Sequence, residues 1–153
     1  MRLDAGDVAP DFELSASDGR TYRLSAFRGT TVVVAWFPKA FTTGCTAECR
    51  SIGLTRGELE GFDAVVFAAC CDTPETNRAF ADSTGIGVPI LSDADTRVAR
   101  AYGVLGAIGL PSRWTFYIGA DGRILGVDRA VRAAGHGAEI GAALERFGVA
   151  RRP

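Results

Sequence analysis

Apolar and polar positions follow different periods in different parts of the chain, and each period predicts a different element. Residues 31–37 (TVVVAWF) and 64–70 (AVVFAAC) are unbroken runs of β-branched, aromatic and small apolar residues. Such runs predict strands buried on both faces, as in a parallel sheet. Residues 12–16 (FELSA) and 21–24 (TYRL) flank SDGR, a turn sequence, and predict a short hairpin. A second hairpin is predicted from residues 114–119 and 124–129 around ADGR, and a short strand from residues 88–92 (VPILS).

Helices are predicted between these runs. A parallel crossover from 31–37 to 64–70 needs one, expected over roughly residues 45–59. Thr73 suits an N-cap, Pro74 the first helical position and Glu75 the positive end of the dipole. That helix should run to about Thr84 and stop at Gly85. Ser92 or Asp93 is expected to cap another, ending near Tyr102 and Gly103. A last helix over 137–147 lines up Ile140, Leu144 and Phe147 on one face, with Gly148 beyond. The order β-β-β-α-β-α-β-α-β-β-α predicts a three-layer α/β sandwich with a mixed sheet. No repeat, low-complexity segment or linker interrupts it, so residues 1–153 are expected to form one domain, long enough for a core.

Charge changes the picture by exclusion. Seventeen basic and 18 acidic side chains leave a net charge of −1, so no basic face is expected to recruit nucleic acid or an anionic membrane. Arg151-Arg152 reads as a solvated tail. The N-terminal MRLDAGDVAPDFEL lacks the apolar core of a signal peptide, and the longest apolar runs fall short of a membrane span. A cytoplasmic location is therefore expected, where cysteines are reduced, catalytic or metal-bound rather than structural staples.

The candidate chemistry centres on Cys45. It lies just past the carboxyl end of strand 31–37, where ligand sites of open α/β sheets form, and near a predicted helix N-terminus. That position favours a thiolate over a thiol. Thr42-Thr43-Gly44 supplies hydroxyls and a permissive backbone beside it. A buried cysteine can also be no more than a small apolar residue; the placement and its neighbours distinguish this one. Cys49, Cys70, Cys71 and His136 complete the set of thiols and imidazole. Their spacing fits no usual zinc pattern, and no phosphate-binding glycine loop is present, so no metal or other cofactor is expected. His136 reads as a capping or surface residue. Trp36 and Trp114 read as core or pocket-wall residues, with Phe41 and Trp114 as candidates for a pocket entrance.

Pro38, Thr42 and Cys45 stand at the spacing Pro-x3-Thr-x2-Cys. This resembles the active-site motif of the peroxiredoxins, and FPKAFTTGCTAE is most similar to their bacterioferritin comigratory protein branch. RWTFYIGADGRI, APDFEL and DTPETNRAFADSTGIGVPILSD resemble that family too, so the likeness runs from about residue 7 to residue 148. It implies a thioredoxin-like fold with an N-terminal hairpin. It also implies a thiol-dependent peroxidase that reduces hydrogen peroxide and organic hydroperoxides without a cofactor. Cys45 would be the peroxidatic thiolate, oxidised to a sulfenic acid. The Thr42 hydroxyl would accept a hydrogen bond from the peroxide and donate toward the thiolate, Arg113 would stabilise thiolate and leaving oxygen, and Pro38 would shield the sulfur. Thioredoxin or another thiol would be the reductant, and the protein a monomer or homodimer. Many relatives place a resolving cysteine five residues after the peroxidatic one; here Cys49 lies four after. Cys49 is the expected resolving residue, with Cys71 or Cys70 and an external thiol as rivals. Residues i and i+4 on a helix hold their Cα atoms about 6 Å apart with Cβ vectors poorly aimed for a disulfide, so this pairing requires the first helical turn to unwind. A thioredoxin-like disulfide reductase without peroxidase activity is the alternative, although its usual C-x-x-C is absent.

Overall fold

A computed structural model describes residues 2–153. The two apolar runs form β3 (Thr31–Trp36) and β4 (Ala64–Cys70), which pair in parallel with Trp36 opposite Ala69. Every residue of β3 is buried, because helices cover both faces of the sheet at this point. β4 pairs in parallel with β5 (Ile90–Ser92) on its other side. β1 (Glu13–Ala16) and β2 (Thr21–Arg23) make the expected hairpin, and β1 also docks antiparallel on β5. The second hairpin, β6 (Thr115–Ile118) with β7 (Ile124–Asp128), joins the opposite side through β3. The seven strands stand in the order β2-β1-β5-β4-β3-β6-β7. Parallel strands at the centre and antiparallel hairpins outside give the mixed sheet that the element order implies.

Alternation along β3 divides the core in two. Val33, Ala35 and Phe37 point to the face that also buries Cys45, Cys49 and Cys70. Val32, Val34 and Trp36 point to the other face, with Phe67, Tyr102 and Phe116. α1 (Thr43–Leu54) and α5 (His136–Arg146) cover the first face. Two glycines set how closely α1 packs. A Cβ on Gly53 would lie 2.3 Å from the Gly85 carbonyl oxygen, and one on Gly137 would lie 2.4 Å from that of Ser51. Both are backbone collisions that could not relax cheaply.

Three boundaries differ from the sequence expectation. The crossover helix is two: α1 gives way at Thr55 (φ −103°, ψ 5°) to the single turn α2 (Arg56–Leu59). The Thr55 hydroxyl donates to the Ser51 and Ile52 carbonyls, competing with the ladder where Gly53 and Gly57 already weaken it. β5 begins at Ile90 rather than residue 88. α4 (Arg97–Ala101) starts later than a cap at Ser92 or Asp93 requires. Asp93 does accept from the Val98 and Ala99 amides, at 3.3 and 2.7 Å, but across an intervening turn with Thr96 at φ 63°. α3 (Pro74–Thr84) matches its expectation: the Thr73 hydroxyl accepts from the Thr76 amide, and Gly85 stops the helix at φ 66°.

Candidate active site

β3 ends at Trp36, and residues 37–42 carry the chain to the start of α1. Cys45 is the third residue of α1, within the first turn, whose amides have no intrahelical carbonyl to bond. No acidic residue offsets the positive end of the helix there. The Cys45 side chain is fully buried on the α1–α5 face of the sheet.

Arg113 reaches this sulfur from the residues leading into β6. Its Nη2 donates to Cys45 Sγ at 3.4 Å, and its Nη1 donates to Glu48 Oε1 at 2.7 Å. One guanidinium thus bridges a thiol and a carboxylate three residues apart on one helical face. Gly44 leaves room for it: a Cβ there would stand 3.0 Å from Arg113 Nη2. Burial pulls the Arg113 pKa down, but the Glu48 bond and the Cys45 sulfur outweigh it and hold the guanidinium above its ordinary value.

Glu48 joins this cluster without belonging to the Pro38-Thr42-Cys45 motif. It is 1 % exposed, and its second oxygen, Oε2, has no hydrogen-bond partner among the described residues. Burial pushes its carboxyl up from the usual range; the nearby His136 and Arg113 pull it back only in part. The available signal was helical spacing, since a glutamate three residues from Cys45 falls on the buried face and must find a cation.

Thr42 occupies the N-cap position of α1, yet its hydroxyl does not cap the helix. It donates instead to the Lys39 carbonyl at 2.7 Å, which leaves its lone pairs free. Pro38 is half-buried at the start of the loop. Phe41 is 58 % exposed at φ 65°, its ring 5.1 Å from that of Phe80. Trp114, expected beside it at an entrance, packs against the opposite face of the sheet under the Arg129 guanidinium, 4.7 Å from its ring centre. Residues alternate into β6, so the neighbour of an Arg aimed at Cys45 must point away.

All four cysteines are free thiols. Cys49 shares the buried face of α1 with Cys45; burial and the adjacent Glu48 push its thiol far up. Cys70 is a buried strand residue whose thiol donates to Asn77 Oδ1 at 3.1 Å. Cys71 lies at the same sheet edge but packs on the opposite face from Cys45, and burial with Asp93 and Asp72 pushes it up to about 12.

His136 corrects a second expectation. It is fully buried rather than on the surface. Its Nε2 lies 2.7 Å from Thr115 Oγ1 and its Nδ1 2.8 Å from Glu139 Oε1, tying β6 to the start of α5. The lone polar ring in a glycine-rich segment looks exposed until α5 closes over it. Asp128 brings a carboxylate oxygen within 4.8 Å of this pair, but both ring nitrogens are already engaged.

The family model described as the AhpC/TSA family matches residues 5–127. The chain is 35 % identical to the peroxiredoxin Bcp of Escherichia coli (strain K12) over 129 residues, 80 % of this chain and 83 % of that one. Its fold is similar to that of peroxidoxin BcpB from Mycobacterium tuberculosis, with a TM-score of 0.84, 30 % identity and coverage of 95 % and 98 % of the two chains. A PrxQ mutant from Xylella fastidiosa shares the fold at a TM-score of 0.88, with 24 % identity over 97 % and 99 %. The chain belongs to the AhpC/TSA family: it is a peroxiredoxin of the Bcp type, a thiol-dependent peroxidase on a thioredoxin-like fold.

Proposed function

We propose that Cys45 is the peroxidatic residue, and the observation that carries this is the 3.4 Å approach of Arg113 Nη2 to its sulfur at a helix N-terminus. The Cys45 thiolate attacks one oxygen of ROOH as the O–O bond breaks. The sulfur keeps that oxygen as Cys–SOH, and the other leaves as RO⁻, which takes a proton to become ROH. Arg113 stays charged throughout and donates to the oxygens on which negative charge grows. Thr42 holds the peroxide through its free lone pairs. Pro38 offers no amide to water and covers the sulfur.

Cys49 then resolves the sulfenic acid: its sulfur bonds to that of Cys45 and water leaves. Two helical positions four apart on an intact α1 hold the sulfurs in poor geometry for this bond. The deep burial of Cys49 likewise calls for the helix to open. Gly53 and Gly137 bind the second half of α1 tightly to its neighbours, so the opening belongs to residues 43–50. Cys71 is disfavoured by its position on the other face of the sheet. A dithiol such as thioredoxin supplies the two electrons that restore the pair. Substrates are hydrogen peroxide and organic hydroperoxides, and the whole chain works as one unit in the cytoplasm; among the described residues no helix is long and apolar enough to cross a membrane.

Peptide mapping by mass spectrometry after one equivalent of hydrogen peroxide tests the assignment. A Cys45–Cys49 link supports it. A link from Cys45 to Cys70 or Cys71 moves the resolving role, and oxidation that spares Cys45 defeats the reading.

A further inference from the structure

The loop between β3 and α1 has to be held open in one shape, and its own backbone cannot do this. The Phe37 amide still pairs with the Ala69 carbonyl at 2.9 Å, continuing the sheet, and Pro38 has no amide to give. Two residues on, the Ala40 amide donates to Asp72 Oδ2 at 2.9 Å. Phe41 follows in the left-handed region, where a non-glycine residue is strained and persists only when its surroundings hold it. The Thr42 hydroxyl then turns back to Lys39.

Asp72 stands just past the end of β4, the parallel neighbour of β3, and is itself tied into the sheet. The Cys70 sulfur lies 3.6 Å from the same Oδ2 and 3.1 Å from Asn77 Oδ1, and Asn77 Nδ2 donates to Ser92 Oγ at 2.7 Å. A chain of polar contacts thus runs from β5 through α3 and β4 to the loop.

We propose that Asp72 is a positioning residue of the peroxidatic site: its carboxylate anchors the Ala40 amide and so holds the strained Phe41–Thr42 turn that presents the Thr42 hydroxyl and the first turn of α1 to peroxide. The proposal rests on the assignment of Cys45 above. It requires an acceptor at Ala40, not a charge. Asparagine keeps the acceptor; alanine removes it. Misplacement of catalytic groups by about 1 Å costs on the order of 100-fold in rate.

The test uses the full chain with Asp72→Ala and Asp72→Asn, and Asp72→Leu, which also lacks an acceptor, if the alanine variant fails to fold. Three quantities are measured: the second-order rate with hydrogen peroxide, hydrogen exchange at the Ala40 amide, and the urea midpoint. The expected result is a rate loss of about 10- to 100-fold in Asp72→Ala, with Ala40 protection lost and cooperative unfolding retained. Asp72→Asn should keep both rate and protection within about threefold of wild type, since its carbonyl still accepts. Equal rates in Asp72→Ala and wild type overturn the proposal. So does an asparagine variant as slow as the alanine one, which would assign the effect to charge. Wild-type protein that consumes no peroxide defeats the Cys45 reading instead, and Ala40 exchange then still decides whether Asp72 holds the loop.

Discussion

Arg113 holds Glu48 at 2.7 Å and Cys45 at 3.4 Å with two nitrogens of the same guanidinium. The carboxylate is the tighter partner, and it fixes the plane of the fork whose other nitrogen faces the Cys45 sulfur. Glu48 is in turn immobilised by burial, at 1 % exposure. The placement of the guanidinium against Cys45 is therefore set by a residue three positions along the same helix.

Removing the fork should be costly in a specific way. Arg113→Ala is expected to lower the peroxide rate constant by about 10²- to 10³-fold, the scale for losing a preorganised donor at developing charge. Arg113→Lys should recover little of it, since one ammonium cannot serve Glu48 and Cys45 at fixed separation. Stopped-flow tryptophan fluorescence reads the rate. A lysine variant within threefold of wild type would reduce the role of Arg113 to charge alone.

Gly44→Ala separates stability from activity. Alanine suits a helix better than glycine by up to about 1 kcal/mol. Its Cβ, however, would meet Arg113 Nη2 at 3.0 Å and push the flexible guanidinium aside. The expected outcome is an unchanged or raised urea midpoint with a peroxide rate lowered about tenfold, a shift worth about 1.4 kcal/mol in the barrier.

Glu48 carries a pH signature. Its folded-state pKa is raised, chiefly by burial, so the protonated form favours folding. That stabilisation is full below the unfolded-state pKa and is lost as pH rises through the folded value. Glu48→Gln removes the titration while keeping an acceptor for Arg113. Urea melts between pH 4.5 and 8 should show the variant gaining on wild type as pH rises. A constant difference across that range would mean that Glu48 does not titrate there.

The roles proposed for the two sulfurs are separable by substitution. Cys45→Ser is expected to abolish peroxide turnover. Cys49→Ser should keep the first oxidation near the wild-type rate, accumulate Cys45 sulfenic acid, and lose the internal link and its recycling. Dimedone trapping followed by mass spectrometry distinguishes the two.

Gly53→Ala tests the clamp on α1. Despite better helix propensity, the Cβ would collide with the Gly85 carbonyl, and a loss of about 1–3 kcal/mol is expected. Equilibrium unfolding measures it, and a stabilised variant would mean that the second half of α1 is not held as described.

The local code of this protein is written along the chain. Unbroken apolar runs specify β3 and β4, because strands covered on both faces have no polar side to show. Thr73, Pro74 and Gly85 mark both ends of α3 by satisfying helix-end groups or permitting a left-handed residue. Pro38, Thr42 and Cys45 stand close enough in sequence to be read as a motif, and Arg113 joins them through the resemblance of its flanking residues. Tertiary structure decided the rest. It turned Trp114 away from Cys45, buried His136 between Thr115 and Glu139, and put Cys71 on the wrong face. It also set Glu48 beneath Arg113 and Asp72 beside Ala40, contacts spanning 65 and 32 residues. A charged side chain shows in a sequence only that it must find water or a partner. Which partner it finds depends on how β3, β4 and β6 stack side by side and where α1 lands on them.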